Sequence, residues 1–79
     1  MANRRKEPDT RLYSGKFAVR LRELREKAGL TIEDVAWATY IPKKTLYNWE
    51  GGISQPPIDA LPLLAEAYRV SVRSLFPKE

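Results

Sequence analysis

The sequence predicts a compact all-α domain of five short helices, and three observations carry that expectation. Apolar residues recur at intervals of three and four, the period of a helix, with no strand-like alternation anywhere in the chain. The periodic stretches are punctuated by Gly29, Pro42 and the Gly51-Gly52 pair, each placed where a helix stops or restarts. The 79 residues contain no repeat and no low-complexity tract, and they suffice for one domain only. A domain of this size buries roughly 60% of its unfolded surface, so its core must be built from a few large side chains.

Residues 1–13 lack helical periodicity, include Pro8 and are rich in cations. They are expected to form a flexible basic arm, with the folded domain over 14–79. Helix 1 is expected over about residues 15–28. Phe17, Leu21, Leu24 and Ala28 fall on one face, Ser14 is placed to cap the start, and Gly29 can take the left-handed conformation that ends a helix. Leu30 can then fold back on Leu24. Thr31 is a good cap for a two-turn helix over about 32–39, and Glu33 and Asp34 suit the positive end of its dipole. Leu30 and Val35 are spaced as a hydrophobic staple, while Val35, Ala36 and Thr39 face inward.

Pro42 disfavours helical geometry at Ile41 but is tolerated at the start of a new helix, so a third helix is expected over about 42–50. The connection between the second and third helices is only a few residues and forces them to cross closely. A fourth helix starts between 57 and 60, marked by Ile58, Leu61, Leu64, Ala65 and Tyr68. Pro62 fits its first turn if Asp59 is the cap. A fifth, over about 72–76, is capped by Ser71, with Val72, Leu75 and Phe76 closing the core.

Composition removes several kinds of chemistry. The chain has no cysteine and no histidine, which excludes disulfides, thiolate nucleophiles and the usual zinc ligands, and no cofactor is expected. No apolar run approaches the about 20 residues that span a bilayer, and there is no signal-peptide core, so the expectation is no membrane partner and a cytoplasmic location. No close carboxylate pair lies on an evidently concave surface, and Glu33-Asp34 is explained by its place at a helix start; the chain is not expected to be an enzyme. The net charge of +4 and isoelectric point near 9.6 favour a polyanionic partner. Residues 1–14 contribute Arg4, Arg5, Lys6 and Arg11 against Glu7 and Asp9, half of that excess.

The third helix says more. At 100° per residue, Leu46 sets the inward direction, and Pro42, Trp49 and Glu50 lie within about 60° of it. Lys44 and Asn48 project the opposite way, one turn apart, with Tyr47 beside them and Lys43 toward the N-terminal flank. This cationic, hydrogen-bonding face without acidic residues fits the major groove of DNA, where lysine donates to guanine acceptors and asparagine pairs with adenine. An ordinary solvated face has the same composition, and it is the short-helix, tight-turn setting that favours the groove. The arm, likewise, is either a solvated tail or a second segment that touches DNA.

Glu50 falls on the inward side, where a lone carboxylate is costly. Arg25, on the flank of the first helix, is its natural partner in a partly buried ion pair; two separately solvated charges are the alternative. Trp37, Trp49, Tyr40 and Tyr68 could form a stacking platform for single strands, but Trp49 and Tyr68 are better placed as core, with Trp37 partly exposed.

The segments LRELREKAGLTIEDVA, IPKKTLYNWEGG and LPLLAEAYRVSVRSLF occur in this order, and the stretch 15–76 resembles the Cro/lambda-repressor (XRE-type) helix-turn-helix family. The resemblance implies a repressor-like five-helix fold whose helix-turn-helix spans Thr31 to Glu50. It implies base contacts by Lys43, Lys44 and Asn48, with Thr45 and Tyr47 nearby for backbone or thymine-methyl contacts. Phosphate contacts map to Ile32, Gly51 and Gln55, and the Arg25–Glu50 pair matches a recurrent pair of the family. Three positions depart from the pattern: Ile32 stands where Gln is common, Tyr40 where the turn often has Gly, and Gly51 where Asn commonly follows Glu. The implied function is sequence-specific binding of double-stranded DNA by a transcriptional regulator, a repressor acting as a homodimer on a pseudo-palindrome. Ile32, Gly51 and Trp37 leave a second reading open: a helical protein-interaction module, or an antitoxin with a protein partner, that keeps the fold with weak or no DNA binding.

Overall fold

The computed structural model describes residues 7–78 as four α-helices, α1 (Tyr13–Lys27), α2 (Ile32–Thr39), α3 (Lys43–Glu50) and α4 (Leu61–Tyr68). Single 3-10 turns occupy Ile58–Ala60 and Val72–Leu75, and there is no strand among the described residues. The expected fifth helix is thus one 3-10 turn. Ser71 caps it as expected, accepting from the Ser74 amide, but Pro77 biases Phe76 to extended backbone (φ −92°, ψ 142°) and stops further winding. The Arg20 Nε donates to the Ser74 carbonyl at 2.9 Å and ties this turn to α1.

Two details of α1 differ from expectation. Its cap position is Leu12, with no side-chain bond, rather than Ser14. The reason lies upstream, in a turn in which the Leu12 amide donates to the Asp9 carbonyl at 3.0 Å and so starts the helix early. Gly15 is buried directly under that turn, where any Cβ would collide with the Asp9 carbonyl. At the other end Ala28 is the cap residue and is exposed, because the helix finishes one residue before the expected apolar stripe does. Gly29 takes φ 76°, and the Leu30 amide reaches back to the Arg25 carbonyl at 3.1 Å, closing a left-handed stop.

Thr31 and Asp34 cap α2 reciprocally. The Asp34 amide donates to Thr31 Oγ1 at 3.0 Å, and the Thr31 amide donates to the Asp34 carboxylate at 2.9 Å. Only Tyr40, Ile41 and Pro42 separate α2 from α3. Tyr40 turns the chain with left-handed backbone (φ 63°, ψ 20°), and Thr39 braces the turn by donating to the Val35 carbonyl at 2.7 Å and accepting from the Ile41 amide at 3.2 Å.

One core lies between the helices: Phe17, Leu21 and Leu24 of α1, Ile32 and Val35 of α2, Leu46 and Trp49 of α3, Leu64, Ala65 and Tyr68 of α4, and Leu75. Three apolar residues expected inside it are not fully there. Ile58 is 79% exposed and Val72 39%, since both sit in tight 3-10 turns whose three-residue period rotates them off the α-helical stripe. Phe76, also partly exposed, lays its ring 5.1 Å from that of Phe17. Pro62 occupies the first turn of α4, where its missing N–H loses nothing, although the cap is Ala60 rather than Asp59 because the 3-10 turn leads straight into the helix.

Candidate nucleic-acid interface

The short α2–α3 connection sets α3 across α2, and the inner face of α3 is anchored twice. Leu46 and Trp49 enter the core. Beside them Glu50 is clasped by Arg25 of α1, whose Nε donates to Oε2 at 2.8 Å and whose Nη2 donates to Oε1 at 3.1 Å. Nη1 of the same guanidinium donates to the Leu30 carbonyl at 2.9 Å, so one side chain ties together α1, the α1–α2 connection and α3. The side chains of Arg25 and Glu50 are only 13% and 9% exposed. The bond to Glu50 raises the guanidinium of Arg25 further above its ordinary value. Nearby, burial pushes the Tyr68 phenol upward, and the Glu50 charge adds to the effect. A bidentate arginine–carboxylate pair in this setting fixes the rotation of α3 about its own axis.

With its inner face locked, α3 presents a defined outer one. Lys44 is exposed and Asn48 half-buried, and no hydrogen bond among the described residues engages the Lys44 ammonium or the Asn48 side-chain amide. Tyr47 lies beside them, about half exposed, and Thr45 is half-buried. Lys43 is not isolated at the helix start: its Nζ donates to Glu33 of α2 at 3.2 Å. Sequence spacing concealed this bridge, because it depends on how closely the first turns of α2 and α3 approach.

Two positions mapped to phosphate contact behave otherwise. Ile32 is 7% exposed and belongs to the core, so its side chain is not offered to a partner. The amide of Gly51, the one group that residue could give, donates to the Tyr47 carbonyl at 2.9 Å and completes the last turn of α3. Gln55 is exposed but lines a cleft with Tyr13, Ser14, Phe17, Pro56, Leu61 and Phe76, so it sits beside the start of α1. On α2, Trp37 is 80% exposed and the adjoining Tyr40 87%, so neither contributes to the core. Among the described residues no group of acidic side chains is arranged to hold a metal ion, and no helix is long and apolar enough to cross a membrane.

Two short helices joined by a three-residue turn, the second locked to the body on one side and polar on the other, define a helix-turn-helix domain. The chain belongs to that family: the model of the helix-turn-helix domain matches residues 16–75. Among curated proteins it is similar to the HTH-type transcriptional regulator DdrOP3 of Deinococcus deserti, 38% identical over 60 residues, covering 76% of this chain and 46% of that protein. It is also similar to the uncharacterized HTH-type transcriptional regulator YobD of Bacillus subtilis, 39% identical over 56 residues, covering 71% of this chain and 50% of that one. The chain therefore spans about half the length of these relatives. Among solved structures, the restriction-modification controller protein C.AhdI of Aeromonas hydrophila superposes with a TM-score of 0.73 at 33% identity, over 77% of this chain and 92% of that one. The clp gene regulator ClgR of C. glutamicum shares the fold at a TM-score of 0.73 and 23% identity, over 81% and 83% of the two chains.

Proposed function

We propose that this domain regulates transcription by sequence-specific binding of double-stranded DNA, with α3 in the major groove. The observation that carries the reading is the asymmetry of α3. Its inner face is fixed by Leu46, Trp49 and the Arg25–Glu50 pair, while on the opposite face the side chains of Lys44 and Asn48 have no hydrogen-bond partner among the described residues. Lys44 donates to guanine acceptors and Asn48 pairs with adenine. Lys43 adds base or phosphate contact after exchanging Glu33 for DNA, and Thr45 and Tyr47 touch the backbone or a thymine methyl. Gln55 is the auxiliary phosphate contact; Ile32 and Gly51 drop out of that set.

The naming of the curated relatives as transcriptional regulators supports the same reading, as does the likeness to a controller protein. The regulator acts as a repressor and homodimer in the cytoplasm, on half-sites one helical turn, about 34–36 Å, apart, and carries out no catalysis.

Selection of bound duplexes from a random pool tests this directly. A recovered pseudo-palindrome is expected, with affinity falling steeply as salt rises. Lys44→Ala or Asn48→Ala should each cost about 1–3 kcal/mol at the preferred site and relax base preference. An unaltered preference in both variants removes the assigned readout face. Absence of any duplex binding at low salt removes the function and favours the second reading, a protein-interaction module or antitoxin docking through exposed Trp37 and Tyr40.

A further inference from the structure

Lys43 and Lys44 are consecutive cations at the start of α3, but their surroundings differ. No hydrogen bond among the described residues engages the Lys44 ammonium, whereas Lys43 Nζ donates to Glu33 Oε2 at 3.2 Å. The bridge joins the first turns of α3 and α2. Its two side chains stay 53% and 75% exposed, so it adds little to stability. The neighbouring acid is committed elsewhere: the Asp34 carboxylate accepts from the Thr31 amide at 2.9 Å in the reciprocal cap of α2. Glu33, Asp34, Ala36, Trp37 and Lys43 line one open cleft, in which two carboxylates accompany a single ammonium. An anion that reaches Lys43 by this route enters negative surroundings.

The two kinds of acceptor that DNA offers a lysine differ on this point. A phosphate is charged, while guanine O6 and N7 are neutral. An ammonium has three N–H donors, so Lys43 can turn one to a base edge while another stays on Glu33. Two acceptors bonded to one ammonium stand about 5 Å apart. That is inside the screening length of about 8 Å at physiological salt, so a phosphate in the second position is repelled by the Glu33 carboxylate. The exchange of Glu33 for DNA is then partial for a base and must be complete for a phosphate.

We propose that Glu33 is a specificity-determining residue, whose carboxylate bars Lys43 from phosphates and reserves it for the neutral acceptors of a guanine edge. The proposal rests on the DNA-binding reading above and assigns Lys43 to base readout within it. Phosphate contact strengthens binding to every sequence, so withholding it weakens background binding more than binding at the preferred site.

The test uses the full chain, a duplex it selects from a random pool and a scrambled duplex of equal length, with Kd measured over a salt series. Glu33→Gln keeps an acceptor beside Lys43 and removes its charge. It should tighten binding to the scrambled duplex at least about threefold at low salt and steepen the slope of log K against log salt by about 0.9, one added phosphate contact. Binding to the selected duplex should tighten less, and base preference at the position lost in Lys43→Ala should relax. In the Lys43→Ala background the same substitution should leave the slopes unchanged, which separates action through Lys43 from a gain in net charge alone. Glu23→Gln makes the same charge change in the cleft that α1 forms with Pro77 and Lys78, and it should alter neither slope. Three results overturn the proposal and leave the α3 reading intact: an unchanged Glu33→Gln slope, an equal change in the Lys43→Ala background, or weaker binding to the selected duplex. Failure of the full chain to bind any duplex overturns both.

Discussion

Removal of one member of the Arg25–Glu50 pair measures how firmly α3 is held. In Arg25→Ala the Glu50 carboxylate, 9% exposed, loses two charge-assisted hydrogen bonds, and the Leu30 carbonyl loses a third. Stripping one partner from a pair this secluded costs about 3–5 kcal/mol, chiefly the penalty of the charge left behind. Domains have about 0.05–0.15 kcal/mol of stability per residue, roughly 4–12 kcal/mol for a chain of this length. The single variant should therefore forfeit a large share of its stability, and its melting temperature should drop by at least about 12 °C. Arg25→Met combined with Glu50→Leu replaces the pair by apolar groups and should return to within about 1 kcal/mol of the parent. Urea titrations followed by far-ultraviolet circular dichroism give all three free energies. The reasoning fails if Arg25→Ala costs less than about 1 kcal/mol, the behaviour of an exposed bridge, or if the double variant is less stable than Arg25→Ala.

Thr31→Ala should lower stability by about 1 kcal/mol in the same titration, because it opens the reciprocal cap with Asp34; no loss would mean that water replaces the hydroxyl. Tyr40→Gly should raise the urea midpoint. The left-handed conformation costs a non-glycine residue about 1–2 kcal/mol, glycine's greater unfolded freedom takes back about 0.5–1, and the ring, 87% exposed, forfeits little packing. An unchanged or lower midpoint would show that the tyrosine ring contributes contacts of its own. The raised Tyr68 phenol gives a signed pH dependence: a folded value above the ordinary 10.0 means its contribution is whole below that pH and is lost as pH climbs toward the folded value. The melting temperature should therefore begin to fall above about pH 10, and Tyr68→Phe should remove that part of the fall.

The elements that could be read from the sequence are those decided within a few residues. The α2 stripe, the Thr31 cap, the Gly29 stop and the break at Pro42 each depend on local sterics and local hydrogen bonds, and all appear where the pattern put them. Ser14 misled because its claim to the cap competes with the turn that Asp9 makes five residues earlier, and the space for that turn exists only because Gly15 has no side chain. Ile58 and Val72 misled because apolar character was read at α-helical period in segments that wind as 3-10 turns.

For the interface the division falls between the direction of a side chain and its surroundings. Helical geometry alone placed Lys44 and Asn48 opposite Leu46, and charge burial alone paired Glu50 with Arg25, since a carboxylate on an inward face needs a nearby cation. What lay beyond such reasoning was any contact set by the angle between helices: Glu33 on Lys43, Pro8 on Gly52, and the burial of Ile32. Ile32 shows why this matters for function. Judged by position, it marks a missing phosphate donor and a weaker DNA binder; judged by burial, it is core, and its apolar nature is what that place requires.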